Sequence, residues 1–195
     1  MRGDPQAVPR RPREEAAGAF HHVVAKGNGG SAIVRDDRDK RRFVDYLGQA
    51  VTQQRWTCLA YCLLDNHFHL VLQTPEANLG AGMQQLQSAH AQHINRRYAR
   101  TGHLFGGRFY SRRVKDDAHL VAALVYVSLN PVRAGVVTRP EEWPWCSYNA
   151  TVGLAPAASF LAIELVLELF GDGPREVGQA RFIQAVRDSR ARDAR

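Results

Sequence analysis

Two strand-like patterns separated by a single short turn stand in the middle of the sequence. Residues 56–64 are apolar and rich in aromatic side chains, and residues 67–73 begin with the alternating pattern His67-Phe68-His69-Leu70. Asp65-Asn66 lies between the two segments, and this dipeptide is typical of a turn. Strands joined by so short a connection pair in antiparallel orientation. The sequence therefore predicts an antiparallel hairpin.

The segments around this hairpin alternate between strand and helix periodicity. We predict a strand at 20–25, a helix from Asp36-Asp37, a second helix from Asn78 to near Gly102, a strand at 104–114 and a third helix from Asp116-Asp117 to Pro131. The order β-α-β-β-α-β followed by a helix is that of the ferredoxin-like (split βαβ) fold, which belongs to the α+β class. Such a fold is expected to carry helices on one face of an antiparallel sheet and to leave the other face free for binding.

Three regions are predicted along the chain. Residues 1–18 contain three prolines and a cluster of arginines, which indicates a flexible basic leader. The ferredoxin-like pattern occupies residues 19–153, and residues 154–195 are predicted to be a C-terminal helical extension. In this extension an apolar helix over 160–170 precedes a Gly171-Asp172-Gly173-Pro174 break and a last, arginine-rich helix. We expect the extension to cap the domain.

Composition excludes several other classes of protein. A chain of 195 residues with 45% hydrophobic residues is long enough for one domain with its own core, and it is not intrinsically disordered. The sequence has no apolar run approaching the roughly 18 residues of a membrane span, and no apolar signal-peptide segment at its N-terminus. We therefore expect a cytoplasmic protein. Cys58 and Cys62 lie in a buried-strand pattern and are predicted to pack in the core.

Positive charge is concentrated in one segment. The chain has a formal net charge of +7, and no acidic residue occurs between Glu76 and Asp116. Basic and aromatic side chains are interleaved there, which suits phosphate contacts and base stacking on single-stranded or distorted nucleic acid. The alternative is a solvated helix face followed by an ordinary strand, although solvated faces usually mix both signs. The predicted DNA-binding residues are Arg96, Arg97, Arg100, Arg108, Tyr110, Arg112, Arg113 and Lys115.

The strand at 67–73 carries two histidines at alternate positions. Because side chains alternate across a strand, His67 and His69 are expected on the same face of the sheet. Neighbouring imidazoles can bind a divalent metal ion, but two surface histidines on a strand are also an ordinary occurrence. A metal site at this position therefore requires a third ligand.

The third predicted helix supplies a candidate for that ligand. Tyr126 and Asn130 are four residues apart and share a helix face, and the Asn130 amide oxygen suits a hard cation such as Mg²⁺ or Mn²⁺. We predict that His67, His69 and Asn130 bind this cation and that Tyr126 attacks a phosphodiester that the cation polarises. The alternative for Tyr126 is a core residue whose hydroxyl finds a partner.

Several separated motifs resemble one protein family. HFH at 67–69, GHLFGGRF at 102–109, YVSLNPVRAGVV at 126–137 and WPWCS at 143–147 are similar to the single-tyrosine HUH transposases, specifically the REP-associated tyrosine transposase branch. The similarity runs from about Phe20 to Gly153. It implies an HUH domain that cleaves single-stranded DNA beside a hairpin in a metal-dependent reaction. It also implies a 5′-phosphotyrosine intermediate and a free 3′-hydroxyl that permits religation.

The resemblance assigns roles to four residues. His67 and His69 match the metal-binding histidines of the family, and Tyr126 matches its nucleophile. Asn130 matches the polar metal-binding position four residues after the tyrosine, where related transposases often carry glutamine. The implied partner is single-stranded or hairpin DNA, which would associate the protein with the nucleoid.

Other functions remain open on the residues alone. One is a binding module that grips structured DNA or RNA while the histidine pair is inert. Another is a metal-dependent hydrolase in which the histidines activate water and the tyrosine only packs. Tyr110 is a competing nucleophile, and His119 and Lys115 are candidate bases for the attacking hydroxyl. Protein partners are not indicated, and both a monomer and a homodimer are compatible with the sequence.

Overall fold

The computed structural model describes residues 16–193, so the predicted arginine cluster of the leader, Arg10, Arg11 and Arg13, lies outside the described residues. The strands are β1 (Ala19–Lys26), β2 (Thr57–Leu63), β3 (His67–Thr74) and β4 (Tyr110–Arg113). The helices of eight or more residues are α1 (Asp37–Gln53), α2 (Leu79–Arg97), α3 (Asp117–Arg133) and, further along, α6 (Arg175–Asp193). The short helices α4 (Tyr148–Thr151) and α5 (Ile163–Glu168) lie between the last two. The predicted order of strands and helices is therefore found.

The strands form one antiparallel sheet in the order β2-β3-β1-β4. β1 pairs with β3 along its whole length, and in this register Lys26 lies opposite His67. β4 pairs with the other edge of β1 and places Arg112 opposite His22. This strand order is that of the ferredoxin-like fold, so the predicted α+β class is confirmed.

The helices lie on both faces of the sheet, so the expectation of one free face is wrong. α1 and α2 cover the first face, where Phe43 and Met83 share a core with Val23, Phe68 and Leu70 of the strands. α3 covers β2 and β3 on the opposite face. The sheet is therefore the middle layer of the domain.

The burial of α3 follows from its composition, because apolar side chains occupy most of its circumference. Leu124 and Val127 share a second core with Ala60 and Val71 of the sheet. Phe182 of α6 belongs to this same core, so the C-terminal helix packs against α3. α3 is thus enclosed between the sheet and the C-terminal extension.

Pro131 does not end α3, although a proline usually stops a helix. The helix continues to Arg133. Pro131 has no N–H to donate to the carbonyl of Val127, and that carbonyl instead accepts the Cys146 thiol at 3.8 Å. Asn130 therefore stays in the helix, one turn after the candidate nucleophile.

The fourth strand is shorter than the predicted 104–114. Only Tyr110–Arg113 form β4, and residues 104–109 form a loop. Gly107 has a φ of 131°, a backbone conformation that favours glycine and interrupts a strand. The loop is anchored to the region after β1, because the carbonyl of Leu104 accepts the Asn28 N–H at 2.9 Å.

The apolar helix of the extension is also shorter than predicted. α5 occupies only part of the 160–170 segment, because residues 161 and 162 run along the edge of β2. The Ala162 N–H donates to the carbonyl of Cys58 at 2.9 Å. The rings of Phe170 and Phe182 lie with centroids 4.9 Å apart, which joins the segment after α5 to α6.

Two expectations from composition concern membranes and cysteines. In the part of the chain from 16 to 193, no helix is long and apolar enough to cross a membrane. Cys58, Cys62 and Cys146 are buried and free. Burial raises the pKa of the Cys58 thiol to about 12, so this residue is a packing group rather than a nucleophile.

Candidate active site

A cleft of about 440 Å³ opens between the sheet and the C-terminal half of α3. Its lining comes from four elements because β1, β3 and β4 present alternate side chains to the face that α3 covers. The lining residues are Val24 and Lys26 of β1, His67 and His69 of β3, Tyr110 of β4, and Tyr126, Asn130 and Arg133 of α3, followed by Ala134. The structure therefore brings together all four residues predicted for metal binding and catalysis.

His67 lies between two amide oxygens. Its Nδ1 atom is 2.7 Å from Oδ1 of Asn66, and its Nε2 atom is 3.2 Å from Oδ1 of Asn130. The amide nitrogen of Asn66 donates to the carbonyl of Gly30 at 3.3 Å, which turns the Asn66 oxygen toward the imidazole. Burial lowers the pKa of His67, so the ring is neutral near pH 7.

A neutral imidazole has one N–H and can donate to only one of these oxygens. The shorter contact assigns that proton to Nδ1, which donates to Asn66. The lone pair of His67 Nε2 then faces the lone pairs of Asn130 Oδ1 across 3.2 Å. Two acceptors at this separation repel each other unless a cation lies between them.

His69 is nearly buried, with 4% of its surface exposed. Its Nδ1 atom is 3.0 Å from Nε2 of His22, and the two rings are stacked with centroids 5.2 Å apart. Burial, with smaller contributions from the neighbouring His22, His67 and Lys26, lowers the pKa of His69 to about 3. The pKa of His22 is lowered to about 4, mainly by burial. Both rings are therefore neutral. A hydrogen bond between Nδ1 of His69 and Nε2 of His22 leaves the other nitrogen of His69, Nε2, available as a ligand.

The donor set fits a small divalent cation. In an octahedral Mg²⁺ site with ligands at about 2.1 Å, adjacent ligand atoms are about 3.0 Å apart. The 3.2 Å separation between His67 Nε2 and Asn130 Oδ1 is close to that spacing. Among residues 16–193, no group of three or more histidine, cysteine, aspartate or glutamate side chains is placed to hold a metal ion. A three-ligand site in this cleft therefore depends on the Asn130 amide.

Tyr126 stands at the mouth of the same cleft. It is 41% exposed, which is incompatible with the alternative of a core residue. Its ring centroid lies 5.6 Å from that of His69 and 5.5 Å from that of His22. The guanidinium carbon of Arg133 lies 4.7 Å from the Tyr126 ring centroid. The side chain is thus accessible to a substrate while imidazole and guanidinium groups surround its ring.

The two candidate bases lie at the other end of α3. His119 Nδ1 accepts the backbone N–H of Lys115 at 3.3 Å. The His119 N–H donates to the Asp116 carboxylate at 2.8 Å, which caps the helix. His119 lies two turns before Tyr126, Lys115 precedes the first residue of the helix, and the hydrogen bonds of His119 stabilise the helix start.

The predicted DNA-binding residues separate into several places. Tyr110 and Arg112 lie on the cleft side of the sheet, and Arg112 is opposite His22. Arg113 alternates to the other side. Arg108 lines a larger groove of about 660 Å³ between α2 and the 102–109 loop. The remaining members lie near the end of α2 or before α3, and these are Arg96, Arg97, Arg100 and Lys115.

Arg97 differs from the other predicted DNA-binding residues because two carboxylates bind its guanidinium. Nη2 is 2.6 Å from Asp36 and Nη1 is 2.5 Å from Asp39, whose side chain is fully buried. The Tyr98 hydroxyl donates to the same Asp39 carboxylate at 2.8 Å. The hydrogen bond from Arg97 holds the pKa of Asp36 well below its usual range. Arg97 therefore joins the end of α2 to the start of α1, and we remove it from the set proposed to contact DNA.

Three basic or imidazole side chains at the cleft, those of Lys26, His22 and Arg133, were not predicted from the sequence. Lys26 lies opposite His67, and His22 reaches His69, only because β1 pairs with β3 in this register. The alternation of His22, Val24 and Lys26 along β1 could have indicated a shared face, but not the partner strand. Arg133 shares a helix face with Tyr126 at a spacing of seven residues, a signal that was present in the sequence.

Comparisons with known proteins give consistent matches. Residues 19–128 match the family described as "Transposase IS200 like", and this segment includes His67, His69 and Tyr126. A Haemophilus influenzae protein named "Putative REP-associated tyrosine transposase" is 28% identical over 138 residues, which cover 62% of this chain and 78% of that protein. The solved structure of a REP-associated tyrosine transposase bound to a REP hairpin aligns with a TM-score of 0.66 at 16% identity, covering 78% of this chain and 93% of that chain. At this identity the structural match establishes the shared fold.

Proposed function

Because this chain belongs to the IS200-like transposase family, we propose that it cleaves and rejoins single-stranded DNA beside a hairpin, with Tyr126 as the nucleophile. The observation that carries this proposal is the convergence of an exposed tyrosine with two neutral histidines and a helix amide in one cleft. A tyrosine oxygen forms a covalent phosphodiester intermediate when a neighbouring group stabilises the charge on the phosphate. This chain supplies the tyrosine and the residues that would hold such a group.

We assign a divalent cation, Mg²⁺ or Mn²⁺, to His67, His69 and Asn130. When bound, this ion neutralises the charge that develops on the phosphate oxygens during attack. Burial keeps the two imidazoles in the neutral form that binds metal, and Asn66 holds the His67 proton on Nδ1. This donor set contains no carboxylate, so it adds no negative charge where a DNA phosphate must approach.

The cleavage step exchanges one phosphodiester for another. Tyr126 Oη forms a bond to phosphorus, and the bond from phosphorus to the 3′ oxygen of the preceding nucleotide breaks. The phenol proton leaves to solvent and the departing 3′ oxygen takes up a proton, so atoms and charge balance. The products are a 5′-phosphotyrosine and a free 3′-hydroxyl. Attack of a 3′-hydroxyl on the phosphotyrosine reverses these bonds and rejoins DNA without ATP.

The surroundings of the cleft suit an unpaired DNA strand. Lys26 lines the cleft, Arg112 extends from β4 on the same face, and the Tyr110 ring is 63% exposed beside them. Basic groups follow the phosphates of a single strand, and an exposed aromatic ring offers a stacking surface for a base. A solved relative is bound to a REP hairpin, and we infer that this chain likewise acts next to hairpins. On such a chromosomal substrate the protein would work in the cytoplasm, associated with the nucleoid.

The test is detection of the covalent intermediate. The full chain is incubated with Mn²⁺ and labelled single-stranded hairpin oligonucleotides drawn from repeats that flank its own gene, and DNA-linked protein is measured on denaturing gels. We expect a covalent band that requires Mn²⁺ and is absent from Tyr126→Phe and His67→Ala. Tyr110→Phe is the matched control, because it removes the same atom from another tyrosine of the same cleft, and its band should persist.

Three outcomes would contradict the proposal in different ways. A band lost in Tyr110→Phe and kept in Tyr126→Phe would move the nucleophile to Tyr110. Metal-dependent cleavage to free ends, with no protein attached, would indicate a hydrolase that uses water. Metal-independent retention of the hairpin, with neither cleavage nor covalent band, would indicate a binding module.

A further inference from the structure

Arg133 joins the candidate nucleophile to the C-terminal helix. Arg133 follows Tyr126 by two helical turns on α3, and its guanidinium carbon lies 4.7 Å from the Tyr126 ring centroid. Side chains on a helix lean toward its N-terminus, so Arg133 reaches back along α3 to cover the tyrosine ring. A guanidinium at this distance from an aromatic face is attracted by the ring quadrupole.

The orientation of this guanidinium is set by α6. Nε of Arg133 donates to the Asp193 carboxylate at 2.8 Å, and Nη2 is also 2.8 Å from the same oxygen. Nη2 is 3.3 Å from the hydroxyl oxygen of Ser189, one turn earlier on α6. Two partners on one edge of a planar group fix its plane, which leaves its face for the Tyr126 ring.

Buried apolar side chains hold α6 against α3. Phe182 and Val186 are 2% exposed and share a core with α3, so the helix that carries Ser189 and Asp193 is seated independently of the Arg133 contacts. The Arg133 guanidinium and the Asp193 carboxylate remain 28% and 45% exposed. Exposed ion pairs contribute little to the free energy of unfolding of the whole protein. The main effect of the Arg133–Asp193 pair is therefore on the conformation of the Arg133 side chain.

We propose that α6 completes the active site by holding Arg133 as a positioning residue for Tyr126. The inference rests on the proposed function, because it requires Tyr126 to be the attacking group. An exposed tyrosine samples several rotamers, and attack on phosphorus requires the one that aligns Oη with the leaving oxygen. Arg133, held by Asp193 and Ser189, restricts the ring to the orientation that faces His69 and the cleft. The C-terminal extension thereby has a part in the reaction as well as in packing.

The test compares variants of α6 in the full chain. Asp193→Asn removes the charge that holds Arg133, and Asp188→Asn is the matched control because that carboxylate lies on the same helix and contacts Gln184 instead. Single-turnover formation of the covalent adduct is measured at saturating hairpin and Mn²⁺. We expect Asp193→Asn to reduce the rate about twofold to fivefold, the size of a lost surface cation–π contact, with unchanged hairpin affinity. Asp193→Glu should restore most of the rate, and Asp188→Asn should react like the unmodified protein.

Two further measurements separate positioning from a merely structural role. In an Arg133→Gln background, Asp193→Asn should have no additional effect on the rate, because Asp193 acts through Arg133. With 3-fluorotyrosine incorporated at position 126, the fluorine resonance should move in Asp193→Asn and in Arg133→Gln, and stay in place in Asp188→Asn. Additive rate effects, or an unmoved resonance in Asp193→Asn, would overturn the proposal.

Failure of this inference is distinguishable from failure of the proposed function. If Tyr126→Phe still forms the adduct, Tyr126 is not the nucleophile and both are overturned. If Tyr126→Phe abolishes the adduct while Asp193→Asn reacts at the full rate, only the positioning role of Arg133 is overturned.

Discussion

Nε2 of His22 lies 3.0 Å from Nδ1 of His69, although 47 residues separate the two in the chain. The contact exists because β1 and β3 are neighbours in the sheet and present these side chains to the same face. A metal-binding histidine commonly has its second nitrogen hydrogen-bonded, which fixes the tautomer and the direction of the ring. His22 has this relation to His69, so it should influence metal binding without being a ligand.

Replacing His22 should weaken metal binding. In His22→Ala the His69 ring loses its hydrogen-bond partner and its stacking partner, and we expect the affinity for Mn²⁺ to fall about 10-fold to 100-fold. Isothermal titration of Mn²⁺ into the full chain measures this change. His103→Ala, which removes an exposed histidine from the 102–109 loop, is the control and should leave the affinity unchanged. Equal Mn²⁺ affinity in His22→Ala and the unmodified chain would remove His22 from the site.

The parts of the site that follow from local periodicity were predictable from the sequence. His67 and His69 share a strand face because side chains alternate, and Tyr126 and Asn130 share a helix face at four-residue spacing. These arguments need no knowledge of distant segments. Their placement in one cleft is observed, whereas their roles in metal binding and catalysis stay predictions.

The parts that depend on packing between distant segments were not predictable. His22 required the register of β1 against β3, and the link from Arg133 to Asp193 required the position of α6 on α3. The sequence also did not predict that α3 covers the second face of the sheet. α3 is apolar on several sides, but periodicity alone does not say which elements will bury them. Arg97 looks like its basic neighbours in sequence, and only the fold shows the two carboxylates that bind it.

Arg97 and its neighbour Arg96 should respond in opposite ways to substitution. Arg97→Ala removes the guanidinium that pairs with the buried Asp39 carboxylate, so we expect a measurable decrease in the free energy of unfolding. Arg96 is exposed on the same turn, and Arg96→Ala should leave that free energy unchanged while weakening DNA binding. Urea unfolding and hairpin titrations on both variants test the pair. A loss of stability in Arg96→Ala equal to that in Arg97→Ala would contradict this assignment.

Adjacent arginines of β4 offer a second matched comparison. Arg112 lies on the cleft side of the sheet opposite His22, and Arg113 alternates to the other side. A lysine or arginine that contacts one phosphate contributes about one unit to the slope of log affinity against log salt. We expect Arg112→Ala to reduce this slope by about one unit for hairpin DNA, and Arg113→Ala to reduce it less. Titrations at several salt concentrations measure both slopes, and a larger reduction in Arg113→Ala would place the DNA on the other side.

The stability of the fold should depend on pH through buried neutral histidines. His90 on α2 is fully buried, and its Nε2 atom is 2.8 Å from the carbonyl oxygen of Ile33. Burial lowers its pKa to about 4, from an unfolded value near 6.5. Between these values the unfolded chain binds a proton that the folded chain excludes, so acidification favours unfolding. His22 and His69 act in the same direction, because burial also lowers their pKa values.

We therefore expect the free energy of unfolding to be highest above about pH 6.5 and to fall as the pH is lowered toward 4. Each excluded proton contributes a slope of about 1.4 kcal/mol per pH unit in this window. His90→Gln retains a donor for the Ile33 carbonyl but cannot be protonated, so its slope near pH 5 should be smaller by about that amount. Urea unfolding of both proteins at pH 5, 6 and 7, with chelator present to exclude metal binding, measures the difference. Asp36 does not interfere, because the Arg97 hydrogen bond holds the pKa of that carboxyl below the window. Identical slopes for the two proteins would show that His90 is protonated in the folded state.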